Sequence, residues 1–280
     1  MPRFRYVICD VFTGQPLAGN QLAVFTDARH IPEERLQPLA REMNLSETVF
    51  VLPPEDDGHA RIRIFTPGTE LPFAGHPTLG TAFVLAGPLQ LTEIRLETGI
   101  GVIPVRVERE GARIAFGWMQ QRTPKIHPYE DERALLDALG VERSEPAVEL
   151  YENGPRFALV GLPSTADVAT LEPDLRALAR LGELGVSAFA GSGTAWQTRM
   201  FAPRLGVDED PATGSAAGPL AVHLLRHGLI ESGQQIELSQ GTEIARPSTL
   251  YARVTGTPDQ IERVEVGGEA VVVAKGEFQL

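Results

Sequence analysis

Apolar and polar residues alternate over residues 4–12, a stretch rich in strand formers, and a second apolar run occupies residues 21–25. Gly14, Pro16, Gly19 and Asn20 place a turn between them. Leu36, Leu39, Ala40 and Met43 recur at helical spacing behind Pro32, which predicts a helix over 32–43. Strands are predicted at 48–52 and Ala60–Phe65. Residues 77–86 are apolar on every face, the mark of a helix buried all round. Strands at 94–98, 102–108 and 113–118 complete a first half. The polar stretch 120–129, with Pro124 and Pro128, reads as the crossover to a second half.

That second half runs through the same programme. Helices are predicted at 130–139 and 174–181, and an apolar helix at 216–227. Strands are predicted at 148–151, 156–160, 186–190, 198–201, 235–238, 249–255, 263–266 and 270–275. Arg63-Ile-Phe65-Thr-Pro67 is matched by Arg199-Met-Phe201-Ala-Pro203, each position 136 residues on, and Val24 and Val160 keep the same offset. An offset held over some forty residues implies a duplicated fold. Many short strands with one apolar helix per half give an α+β class: two pseudo-symmetric domains, each a strongly curved sheet wrapped around a central helix. The halves are set at 1–120 and 121–280, with the last strands able to cross back to the first half.

Composition changes this picture only at its edges. A chain of 280 residues holds two cores of ordinary size, and its 42% apolar content fits a globular protein. The net charge of −12 argues against a nucleic-acid surface, and the apolar runs are too short to span a bilayer. The N-terminus lacks the apolar core of a signal peptide and Cys9 is the only cysteine, so the cytoplasm is the expected location. An anionic small molecule stays compatible with an acidic protein, because a local site can be positive.

Candidate chemistry sits at the end of each repeat. Gly75-His76 and Gly214-Ser215 both enter apolar helices, whose N-termini offer backbone N–H groups to a carboxylate. The alternative is that His76 and Ser215 only cap their helices. Glu47 lies at the edge of an apolar strand, where it serves either as a surface or capping glutamate or as a desolvated carboxylate able to shuttle a proton. Asp210, in the loop leading to Ser215, is either a turn aspartate or a cleft residue. No phosphate loop, Rossmann glycine pattern, metal-binding cysteine pair or nucleophile elbow occurs. His223 and His227 stand one helical turn apart, but Leu224 occupies the place where a zincin carries Glu, so no metal is expected. Cys9 reads as a core residue.

With these residues in hand, the chain resembles the PhzF-like phenazine-biosynthesis isomerase family, related in fold to diaminopimelate epimerase. The resemblance rests on residues 10–20 (Asp-Val-Phe-Thr-Gly-Gln-Pro-Leu-Ala-Gly-Asn), on Asn44-Leu-Ser-Glu47, on Phe73-Ala-Gly-His-Pro77 and on Asp210-Pro-Ala-Thr-Gly-Ser-Ala216. It runs nearly end to end, through Arg61-Ile-Arg-Ile-Phe-Thr-Pro67, Asn153-Gly-Pro155, Gly233-Gln-Gln-Ile236 and Glu265-Val-Gly-Gly268. It implies a homodimer without metal or organic cofactor, and a cleft between the halves that takes a small anionic substrate. The epimerase relatives place a cysteine after each Gly turn. Here those places hold His76 and Ser215, which excludes two-thiol racemisation. The resemblance implies Glu47 as acid/base, with His76, Asp210 and Ser215 completing the proton-transfer set and Asn20, Ser46, Gly75 and Gly214 contacting substrate. The expected reaction is isomerisation of trans-2,3-dihydro-3-hydroxyanthranilate. Isomerisation of another small carboxylate or amino acid is the alternative. A non-catalytic binder of an anionic metabolite is a third reading, against which the intact proton-transfer set counts, and a hydrolase a remote fourth.

Overall fold

The computed structural model describes residues 2–280, which form two units: the chain through Gln120 together with Gly267–Leu280, and Gln121–Val266. Unit 1 opens with strands β1 (Arg3–Val11) and β2 (Asn20–Phe25), helix α1 (Glu33–Met43), β3 (Glu47–Leu52), β4 (Ala60–Phe65) and the short β5 (Glu70–Leu71). Helix α2 (Gly75–Leu89), β6 (Glu93–Thr98), β7 (Gly101–Glu110) and β8 (Arg113–Gln121) follow. Unit 2 begins with β9 (Lys125–Pro128), α3 (Glu132–Leu139), β10 (Glu149–Glu152) and β11 (Arg156–Gly161). It continues with α4 (Thr165–Ala169), α5 (Leu175–Arg180), β12 (Gly185–Ser192), β13 (Ala195–Ala202) and β14 (Val207–Asp210). Helix α6 (Gly214–Arg226), β15 (Gln235–Gln240), β16 (Ser248–Gly256) and β17 (Ile261–Gly268) lead to the last strand, β18 (Ala270–Gln279), which pairs with β1.

The duplication is one of topology. In unit 1 the strands lie in the order β18-β1-β2-β3-β4-β6-β7-β8, antiparallel except for β2–β3 and β4–β6. In unit 2 the order β9-β10-β11-β12-β13-β15-β16 repeats it, with β11–β12 and β13–β15 parallel. Each parallel pair needs a crossover, and helices supply it: α1 and α2 in unit 1, α4–α5 and α6 in unit 2. Within unit 1, α2 touches β1, β2, β3, β6, β7 and β18, so the sheet curves around it. The opposite face of that sheet buries Phe25, Phe50 and Phe65 under Leu36, Leu39 and Ala40 of α1, with Phe25 and Phe50 stacked at 5.0 Å. In unit 2 the corresponding outer layer packs Leu135, Leu139, Val168 and Leu178 of α3–α5 against Val160, Val186, Ala188 and Phe201. Strands covered on both faces carry the unbroken apolar runs seen in the sequence.

Residues 120–129, expected as a bare crossover, contain β9. It stands at the end of unit 2's strand order, where a proline's missing N–H breaks no second ladder. Helix α4 escapes periodicity because it has five residues, and Ser164 caps it by accepting from the Asp167 N–H. Both apolar helices begin two residues before the expected start. Pro77 is the third residue of α2, where a missing N–H is tolerated, while Pro219 lies inside α6. The shift matters, because it carries His76 and Ser215 into the first turns.

Candidate active site

Two parallel strands and a helix build the site residues of unit 1. Asn20 opens β2 and Glu47 opens β3. These strands run parallel with Leu22 opposite Glu47, so both polar side chains lie at one end of the sheet. Asn44, in the left-handed conformation that Asn tolerates, ends α1 and turns the chain through the half-buried Ser46 into Glu47. His76 is the second residue of α2. The N-cap is Ala74, so His76 does not cap the helix. Asn20, Glu47, Gly75 and His76 are all buried. Asn20 Nδ2 lies 3.1 Å from His76 Nδ1, and His76 Nε2 lies 3.5 Å from Glu47 Oε2. Nδ1 thus faces the Asn20 amide and Nε2 faces the Glu47 carboxylate. Burial pushes the His76 imidazole down to about 3, against a smaller opposing pull from a backbone hydrogen bond with Gln21. The ring is therefore neutral at pH 7, and its contact with Glu47 is a polar approach, long for a hydrogen bond, rather than an ion pair.

Unit 2 assembles Asp210, Gly214 and Ser215. Asp210 ends β14, Gly214 opens α6, and Ser215 follows it; all three are buried. Thr213, the N-cap residue, donates its hydroxyl to Asp210 Oδ2 at 2.6 Å, which fixes that carboxylate within the turn. Sequence reasoning missed what holds this turn. Gln240 donates to the Asp210 carbonyl at 2.7 Å and to Thr213 Oγ1 at 3.0 Å, and its own Oε1 accepts from the Thr213 N–H and from Thr198 Oγ1. Gln121 donates to the Gly214 carbonyl at 2.7 Å, and Asn153 donates to Gln121 at 2.9 Å. One signal was available for Gln240: in β15 the buried positions are Ile236, Leu238 and Gln240, so a polar residue stands on the core side of an alternating strand.

The two turns share a further support. A Cβ on Gly99, just after β6, would stand 2.8 Å from Cα of Pro72 in the unit 1 turn. One on Gly241, just after β15, would stand 2.6 Å from the carbonyl oxygen of Pro211 in the unit 2 turn. Each unit thus seats a glycine against the proline of its own turn. Elsewhere in unit 1, burial pushes the Cys9 thiol up to about 12, as suits a core residue. No helix among the described residues is long and apolar enough to cross a membrane.

Known proteins share this fold. Over 276 residues the chain is 50% identical to the trans-2,3-dihydro-3-hydroxyanthranilate isomerase of Pseudomonas aeruginosa, covering 99% of both chains. Its fold matches the crystal structure of a PhzF-family phenazine biosynthesis protein from Bacillus anthracis at a TM-score of 0.85, with 23% identity and full coverage of both chains. A hydroxyproline epimerase from Agrobacterium vitis shares the fold more distantly, at a TM-score of 0.68 and 11% identity over 98% of this chain and 92% of that one. The family model for phenazine biosynthesis-like proteins matches residues 9–276, taking in both Gly turns and the strands that open with Asn20 and Glu47. The chain belongs to that family.

Proposed function

We propose that this chain is an isomerase that converts trans-2,3-dihydro-3-hydroxyanthranilate by moving a proton, with Glu47 as the acid/base. The identity of 50% over 99% of both chains to an enzyme of that name carries the substrate. The buried carboxylate beside a neutral imidazole carries the chemistry. Glu47 takes the proton from C3. The C–H electron pair moves into the conjugated ring, the proton returns at a distant ring carbon, and the formula is unchanged. The resulting enol relaxes to a reactive ketone. His76, held neutral by burial, sets a ring nitrogen 3.5 Å from Glu47 without placing a positive charge beside the proposed base. Burial at the strand ends limits exchange of the abstracted proton with water. Asp210 and Ser215 stay in the proposed proton-transfer set, and Asn20, Ser46, Gly75 and Gly214 in the substrate-contacting set. A cytoplasmic homodimer without a cofactor belongs to the same proposal.

Proton NMR of the substrate with the protein in heavy water tests it. The wild type should erase the C3 signal rapidly, and Glu47→Gln should slow this by roughly 10²–10⁴-fold with its circular dichroism unchanged. Full activity in Glu47→Gln removes the carboxylate from the mechanism. An unchanged spectrum with folded wild type removes the substrate.

A further inference from the structure

The last turn of α6 carries chemistry that the proposed reaction leaves unused. His223 and His227 lie one turn apart on one face of the helix end, and β10 brings Glu149 to meet them. Glu149 Oε2 lies 3.1 Å from His223 Nδ1 and 3.1 Å from His227 Nε2. The same oxygen already accepts from the Tyr151 hydroxyl at 2.8 Å and from Arg226 Nη1 at 2.8 Å. Two imidazole nitrogens thus converge on an oxygen that already holds Tyr151 and Arg226, and His223 Nδ1 also lies 3.1 Å from the Tyr151 hydroxyl.

We propose that Glu149, His223 and His227 form a binding site for one divalent transition-metal ion of the zinc class. The three donor atoms lie within 4.8 Å of one another. Tetrahedral bonds of about 2.0–2.1 Å set ligand atoms about 3.3 Å apart, so two edges of the ligand triangle are close to that spacing. Rotation of His227, whose side chain is one-third exposed, closes the third edge. Two imidazoles and one carboxylate suit zinc, cobalt or nickel rather than calcium or magnesium, and water takes the fourth place. Tyr151 orients the carboxylate from behind, while edge contacts from Tyr151 and Phe189, at 5.6 and 5.5 Å between ring centres, fix the buried His223 ring. Arg226 is the competitor. Its guanidinium contacts both Glu149 oxygens at 2.9 and 2.8 Å, and its side chain is 29% exposed, so it swings to solvent when the ion enters. The zincin spacing failed because it sought the carboxylate on the same helix. The fold delivers it from a strand 74 residues earlier.

Titration of the chelator-treated full chain with Co²⁺, followed by the visible d–d absorption of the bound ion, tests the site. One Co²⁺ per chain, displaced by Zn²⁺, is expected. His227→Asn, at a partly exposed position, should weaken binding at least tenfold, and Arg226→Gln should tighten it about tenfold by removing the competing cation. No absorption in the wild type at saturating Co²⁺ overturns the site. So does a band that His227→Asn leaves unchanged, and an affinity unmoved by Arg226→Gln overturns the placing of the ion at Glu149.

Discussion

In unit 1 the guanidinium of Arg63 lies over Phe65 at 5.2 Å and is held by two carboxylates, Glu70 and Glu33. In unit 2 the guanidinium of Arg199 lies over Phe201 at 5.1 Å and is held by Glu209. There the second carboxylate is replaced by the carbonyls of Val168, Ala169 and Leu171, at and just after the end of α4. The repeat therefore keeps the cation and its aromatic seat while the second acceptor is free to change. A guanidinium offers five N–H groups, so it accepts either a carboxylate or a cluster of helix-end carbonyls. The surroundings differ in burial. The Arg199 side chain is 9% exposed against 21% for Arg63, and Glu33 is largely in water. One duplicated residue thus does a more deeply buried job in the second copy.

That difference is open to direct attack. Arg199→Met should destabilise unit 2 by about 3–5 kcal/mol, because it strands Glu209 and three carbonyls in a buried setting. Arg63→Met should cost unit 1 about 1 kcal/mol, since its carboxylates return to water. Urea unfolding separates the two readings, with Trp118 reporting on unit 1 and Trp196 on unit 2. Equal losses would erase the contrast. The paired glycines sharpen it at the turns. Gly241→Ala should cost about 2–4 kcal/mol, because it adds strain at a φ of +78° to the collision with Pro211. Gly99→Ala meets only the collision with Pro72, worth about 1–3 kcal/mol. Thermal unfolding with the same two tryptophans gives the order.

A pH-dependent effect concerns the residue that breaks the symmetry of the turns. His76 has a folded pKa below its ordinary 6.5, so the unfolded chain binds the proton first as pH falls. Its contribution is complete above about pH 6.5 and is lost as pH drops towards 3. His76→Ser, which copies unit 2's side chain into unit 1, should flatten this slope, by about 2 kcal/mol at most between pH 6.5 and 5. Parallel stability curves for the two proteins would show that His76 is not the group responsible.

Much of this was legible in the sequence because it was repeated. The Arg-x-Phe-x-Pro segments kept their spacing, so the duplicated topology could be read from the offset, while His76 and Ser215 were found from the Gly turn that follows each copy, three residues further on in the second. Glu47 was ambiguous because a carboxylate at a strand edge looks the same whether the edge faces solvent or a buried end. Gln240, Gln121 and Asn153 were missed because a clasp is made by contacts, and a single amide in a strand has no period. Glu149 was missed for the opposite reason. The spacing of His223 and His227 drew attention to the helix, while their partner came from a strand remote in sequence.

The pairing of β18 with β1 carries a consequence for how the molecule is made. On the ribosome, β1 through β8 emerge first, yet their sheet lacks its border strand until Ala270–Gln279 has been synthesised. Unit 2 lies in one continuous stretch and can close while the earlier segment still waits. The half translated first is the half completed last.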